Sequence, residues 1–227
     1  MHSGPRRIWL ARHGNRYDFV RPDWFETARR PYDPPLSREG SVQAQELAHR
    51  LCREPIARLF CSPYLRAVQT AAPVAAALGL PLCLEAGWGE WLNPDWMRSR
   101  PRLMAVADLY RHYPSIDLTY SSFSQPQYPE PQAADAKQRL GRTLRHLLAN
   151  YSGNLALIGH AIAAEAVLRA LAIAPAAALD SSPCSLVELV EERSGCWQVT
   201  LAGDTSHLSQ PGVTVWVPDA AKPGVNS

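Results

Sequence analysis

Ile8-Trp9-Leu10-Ala11-Arg12-His13-Gly14 is the stretch that decides the fold. Four apolar residues between arginines read as a short strand buried on both faces, the habit of strands in parallel sheets. Arg12 and His13 then stand at its carboxyl end, where open α/β sheets bind ligands. Two later segments have the same form: Arg58-Leu59-Phe60-Cys61 runs into Ser62-Pro63, and Leu155–Gly159 runs into His160.

The intervening segments read as helices. Ser37 caps a helix to Leu51, with Val42, Leu47 and Leu51 on one face. Ser62 as N-cap and Pro63 at the first helical position start a second helix, which reaches Leu78 and ends at Gly79. Residues 80–86 predict a third strand. Short, long and medium helices follow over 101–110, 133–150 and 161–172. Ser185–Glu191 and Cys196–Ala202 predict an antiparallel pair around Arg193-Ser194-Gly195. Strand and helix alternate, so the expected class is α/β: a three-layer sandwich with a mainly parallel central sheet and helices on both faces. No linker divides the chain, and 1–227 reads as one domain. The proline-rich segments 16–34 and 92–131 read as lid-like, and the tail 218–227 as disordered.

Composition narrows the function classes. A net charge of +2 over 227 residues, with no run of Lys/Arg, argues against a nucleic-acid partner. The lysines are Lys137 and Lys222 alone, so an anion site here uses guanidinium forks. Five cysteines, without CxxC spacing, argue against a disulfide framework or a zinc site and favour a reducing compartment. The N-terminal apolar run is too short for a signal peptide, and His160, Glu165 and Arg169 interrupt the alanine-rich stretch 155–179, so no membrane span is expected. The resulting expectation is a cytoplasmic protein.

Taken together, Arg12-His13-Gly14, Pro35-Leu36-Ser37-Arg38-Glu39-Gly40 with Gln43-Ala44, Ser62-Pro63 with Arg66-Ala67 and Gln69-Thr70-Ala71, Glu90, and Gly159-His160-Ala161 resemble the histidine phosphatase superfamily, the phosphoglycerate-mutase-like group. The likeness runs in order from about residue 6 to 205. Arg12-His13-Gly14-Asn15-Arg16 with Asp18, Asp33-Pro34-Pro35-Leu36-Ser37 and Gly89-Glu90-Trp91 look most like the Sts/ecdysteroid-phosphate phosphatase branch, although Asn15 stands where an acidic residue is usual. The resemblance implies a phosphomonoester hydrolase that needs no metal or other cofactor. His13 would be the nucleophile forming a phosphohistidine. Arg12, Arg66 and His160 would clamp the phosphoryl oxygens, with Asn15 and Arg16 as further substrate contacts. A carboxylic acid would protonate the leaving oxygen: Glu90 matches best and Glu85 competes. The implied substrate is a small phosphomonoester or a phosphotyrosine-like group.

Each of these residues also has an ordinary reading. A histidine is commonly a core or surface group, and Arg16 has Asp18 beside it. Trp24, Trp88, Trp91 and Trp96 either pack the lid or line an aromatic pocket. The other histidines show no metal-ligand spacing. Two other enzymatic readings use the same residues. A cofactor-dependent phosphoglycerate mutase shares the nucleophile; the segment 92–131 carries Arg98, Arg100, Arg102 and Arg111 but lacks the typical mutase run near the catalytic acid. A cysteine phosphatase would need five residues between cysteine and arginine, whereas four separate Cys61 from Arg66. A catalytically silent phospho-ligand binding domain is the non-enzymatic alternative. Oligomeric state is not encoded in any motif, although the C-terminal strand pair offers an edge at which a homodimer can form.

Overall fold

The computed structural model describes residues 4–21, 23–174 and 179–211; the expected disordered tail lies outside them. A six-stranded sheet forms the centre, made of β1 (Arg7–Arg12), β2 (Ile56–Cys61), β3 (Leu82–Leu84), β4 (Asn154–Gly159), β5 (Leu186–Arg193) and β6 (Cys196–Asp204). Its order is β3-β2-β4-β1-β5-β6. The first four strands in that order pair in parallel, and β5 and β6 add antiparallel strands on the β1 side.

The period-2 pattern of the strands divides the core into two layers. Trp9 and Ala11 of β1, Leu59 of β2 and Ala156 and Ile158 of β4 point to one face. There they meet Leu47, Ala48 and Leu51 of α2 (Arg38–Leu51) and Val68, Ala71, Val74 and Ala75 of α3 (Leu65–Leu78). A one-turn helix, α1 (Trp24–Thr27), precedes α2, and α4 (Val106–His112) adds Leu109 to the same layer. Ile8, Leu10, Phe60, Leu155 and Leu157 point the other way. They pack on Leu140, Leu144 and Leu147 of α5 (Ala133–Asn150) and on Ala163, Ala166 and Val167 of α6 (Ile162–Ala170). The fold is the expected three-layer α/β sandwich.

Several boundaries depart from the sequence reading. The second helix starts at Leu65 rather than Pro63, and Tyr64 supplies no side-chain cap. Instead Asp33, arriving from the preceding loop, accepts the Leu65 N–H at 2.8 Å. A distant carboxylate therefore does the capping that Ser62 was expected to do. The short helix lies at 106–112 rather than 101–110, because the Met104 N–H is drawn to the other oxygen of Asp33 at 3.1 Å. The 80–86 strand shortens to three residues, since the Glu85 side chain turns back to cap a 3-10 turn at Ala86–Trp88. Gly79 ends α3 in the left-handed region at φ 65°, as its position predicted.

Chain connections place the site. Leaving β1, the chain passes to α2 on one face; leaving β4, it passes to α6 on the other. Loops that part to opposite faces leave a crevice at the carboxyl ends of these neighbouring strands. Backbone bonds from His13 N–H to Gly159 O (2.9 Å) and from Ser62 N–H to Ile158 O (3.0 Å) carry the ladder to its rim. His13, Ser62 and His160 thus emerge side by side.

Candidate active site

His13 is buried at the rim of β1, and its Nδ1 lies 2.8 Å from Gly14 O. A carbonyl only accepts, so Nδ1 carries the proton and Nε2 holds the lone pair. No hydrogen bond among the described residues engages Nε2. Burial and then the cations Arg66 and Arg12 hold the pKa well below that of a free imidazole, so the ring is neutral. The loop that presents it is held by close backbone contact. A Cβ on Gly14 would lie 2.6 Å from Gly40 O, and one on Gly40 would lie 2.1 Å from Asn15 O. Glycine at both positions lets the first turn of α2 press against the His13 loop.

His160 meets His13 edge to face, with ring centroids 5.3 Å apart. Its Nε2 is 2.8 Å from Ser62 Oγ, and its Nδ1 is 3.1 Å from Glu90 Oε2. Burial outweighs the pull of Glu90 and brings the His160 pKa down to about 4. Arg66, in the first turn of α3, is buried and spreads its guanidinium over the Tyr64 ring at 4.6 Å. Its Nη2 donates to Glu90 Oε2 at 3.2 Å and lies 3.3 Å from His160 Nδ1. Arg12 donates from Nη1 to Ser181 O at 2.6 Å, and burial lowers its pKa to about 10, leaving it charged. The Nε–H groups of Arg12 and Arg66 are buried donors with no acceptor among the described residues. Unpaired buried donors are rare and need an explanation.

The two candidate carboxylates are in different situations. Burial alone would raise the Glu90 pKa; His160, Arg66 and His13 outweigh it and hold the carboxyl well below its usual range. Glu85 is fully buried away from the arginines. Its oxygens accept from Gly87 N–H (2.8 Å), Tyr120 OH (2.6 Å) and Phe123 N–H (2.9 Å), which ties 86–124 together. The geometry brings Glu90, and not Glu85, to the two histidines.

Two expected substrate contacts are engaged elsewhere. Asn15 is buried with its amide Nδ2 3.3 Å from Ser37 Oγ, turned toward the start of α2. Arg16 forms a two-pronged pair with Asp18, with Nε 2.9 Å from Oδ1, and lies over the Phe19 ring at 4.5 Å. Its charge still lowers the pKa values of His13, Arg12, Arg66 and His160, so it belongs to the field of the site. The tryptophans divide: Trp88 is core, Trp24 donates to Pro31 O, and Trp91 stacks edge-on with the half-exposed Trp96 at 4.8 Å.

Sequence reasoning missed three supports. Ser62 reads as a cap but is the partner of His160. Asp33 was visible only inside a motif block, with nothing local to assign its two backbone bonds. Arg139 and Glu130, on α5 and in the loop before it, carry no motif, yet they brace the backbone around Glu90.

His13, Glu90 and His160 also offer one metal-ligand atom each within 4.8 Å of one another. Arg66 Nη2 lies within 3.3 Å of both Glu90 Oε2 and His160 Nδ1, which are themselves 3.1 Å apart, and Arg12 and Arg66 make the surroundings cationic. Such a field suits an anion and repels a divalent cation. No helix among the described residues is long and apolar enough to cross a membrane.

A 119-residue stretch is 39% identical to the 55 kDa subunit of transcription factor tau from Saccharomyces cerevisiae, covering 48% of this chain and 26% of that protein. The ecdysteroid-phosphate phosphatase of Drosophila melanogaster is 24% identical over 219 residues, covering 75% of this chain and 27% of that protein. The chain thus spans about a quarter of the length of these relatives. The crystal structure of the ecdysone phosphate phosphatase from Bombix mori, in complex with tungstate, superposes with a TM-score of 0.66 at 22% identity, covering 86% of this chain and 91% of that one. The sequence profile of the histidine phosphatase superfamily (branch 1) matches residues 8–205, and the chain belongs to that superfamily.

Proposed function

We propose that the protein is a metal-independent phosphomonoester hydrolase working through a phosphohistidine at His13 Nε2. The observation that carries this reading is the pair of orphaned guanidinium donors, on Arg12 and Arg66, beside an imidazole whose free lone pair is fixed by Gly14 O. Tungstate in the Bombix mori enzyme is an oxyanion of the same shape class as phosphate.

The Nε2 lone pair attacks phosphorus, the P–O bond to the leaving group breaks, and the leaving oxygen takes a proton from Glu90. Nδ1–H stays on Gly14 O, which stabilises the positive phosphoimidazole. Water then attacks phosphorus, gives its proton to the Glu90 carboxylate, and breaks the P–N bond; phosphate leaves and His13 is neutral again. Arg12, Arg66 and His160 hold the nonbridging oxygens, where positioning and charge supply most of the catalysis. In the resting site Glu90 is a carboxylate paired with Arg66. An arriving phosphate dianion draws off that guanidinium and adds negative charge beside Glu90; both oppose the pull of His160, Arg66 and His13 and favour the proton that Glu90 later donates.

Rapid acid-free quenching with a radiolabelled phosphomonoester tests this reading. The expected product is a phosphoprotein stable in alkali, labile in acid, unaffected by EDTA and absent from His13→Ala. Activity lost in EDTA and restored by a divalent cation would instead support the metal cluster. The transcription-factor relative favours one second reading, a silent phospho-ligand binding domain. Binding of a phosphate ester with no phosphoenzyme and no turnover would establish it.

A further inference from the structure

Arg139 projects from the second turn of α5 into a buried position, and every one of its five N–H groups is used. Nε donates to Glu130 Oε1 at 2.6 Å and Nη2 to Glu130 Oε2 at 2.8 Å, a two-pronged ion pair. The three remaining hydrogens go to backbone carbonyls: Gly87 O at 2.9 Å, Gly89 O at 3.0 Å and Glu90 O at 3.0 Å. These carbonyls belong to the loop that presents the Glu90 side chain. Glu130 holds the other side of the same loop. Its Oε2 accepts the Leu92 N–H at 3.0 Å, its carbonyl accepts Trp91 Nε1 at 2.8 Å, and its own N–H donates to Leu92 O at 2.9 Å.

Residues 87–92 have no regular secondary structure beyond the end of a 3-10 turn, so no ladder fixes their backbone. Two glycines, Gly87 and Gly89, make the segment intrinsically loose. Into this segment the pair inserts six hydrogen bonds from one buried centre. A buried ion pair is seldom worth its desolvation as stability alone. One whose guanidinium donates to three carbonyls around a reacting carboxylate has geometric precision as its effect.

We propose that Arg139, locked by Glu130, is the positioning residue for the general acid: it fixes the Gly87–Glu90 backbone so that the Glu90 carboxyl reaches the leaving oxygen. The proposal rests on the phosphatase reading given above. Arg139 touches neither His13 nor the phosphate clamp, so it acts on leaving-group protonation and not on phosphate binding. Lysine keeps the charge but forms at most three bonds from a flexible stem, and cannot hold Glu130 and all three carbonyls.

The test compares p-nitrophenyl phosphate, whose leaving group needs little protonation, with an alkyl phosphate, whose leaving group needs it fully. Glu90→Gln is the reference, and its selective loss with the alkyl ester validates the phosphatase reading on its own. Arg139→Lys and Glu130→Gln are each expected to lose about 10–100-fold in kcat with the alkyl phosphate and under about threefold with p-nitrophenyl phosphate. Inhibition by inorganic phosphate should be unchanged, and combining either change with Glu90→Gln should add no further loss. If Glu90→Gln discriminates between the esters while the folded variants lose equally with both, or lose nothing, the positioning role is wrong and the phosphatase reading stands. If Glu90→Gln itself fails to discriminate, the acid assignment falls. Failure of both Arg139→Lys and Glu130→Gln to fold, judged by circular dichroism and melting, would show a purely structural staple and also overturn the proposal.

Discussion

At the scale of single residues, the site is governed by which proton sits where. Gly14 O fixes the His13 tautomer, and burial with two arginines keeps the ring neutral well below pH 6.5. A free imidazole would lose nucleophilicity as the pH falls through its ordinary pKa. For His13 the sign is the same but the window lies lower, so kcat/KM for p-nitrophenyl phosphate should show no acidic limb near pH 6.5. A pH profile from 4.5 to 8 checks this; a tenfold decline per unit beginning at 6.5 would mean that the ring titrates normally. Ser62 has a matching effect on His160. Removing its hydroxyl (Ser62→Ala) leaves Nε2 without its described partner, and we expect about a tenfold loss in kcat/KM with the melting temperature nearly kept.

At the scale of elements, the question is what sets helix ends against strand ends. Asp33 joins the start of α3, which carries Arg66, to the segment leading into α4. Asp33→Ala removes an N-terminal cap and a second backbone acceptor, and should cost about 1–3 kcal/mol in urea unfolding. Gly40→Ala, with its Cβ 2.1 Å from Asn15 O, should cost about as much by forcing α2 away from the His13 loop. A change below about 0.5 kcal/mol for either would remove its assigned role. These contacts also mark where the sequence stops being readable. Strand runs such as Ile8–Ala11 and Leu155–Ile158 declare their burial locally, and Gly79 declares its helix end. Arg12, His13, Arg66, Glu90 and His160 could be picked out as candidates because each falls in a motif block, and the fold brings His13, Arg66, Glu90 and His160 together. The capping by Asp33, the Ser62–His160 bond and the bracing by Arg139 join residues 32, 98 and about 50 positions apart, and no local periodicity encodes such pairs.

At the scale of the whole molecule, buried neutral histidines and a carboxylate held among cations make stability depend on pH. His160 titrates at about 4 in the folded protein and near 6.5 when unfolded, so between those values the unfolded chain binds more protons. Stability therefore falls as the pH drops from about 6.5 to 4. Glu90, held below its usual carboxyl range, adds a further loss below about pH 4.5. The melting temperature should decline steadily from pH 7 to 4; a flat curve would contradict neutral burial. If the site binds phosphate as proposed, inorganic phosphate should oppose the decline: at a hundred times its Kd it should add about 2.7 kcal/mol.

The Arg66–Glu90 pair has one more effect. An empty cationic pocket would trap any passing chloride or acetate, but here the guanidinium already has a tethered counter-ion that an intruder must evict. A singly charged spectator would gain little from that exchange, whereas on the proposed reading a doubly charged phosphate ester would engage Arg12 and His160 as well. On the reading proposed above, that internal ion pair would make the site select dianions over monoanions.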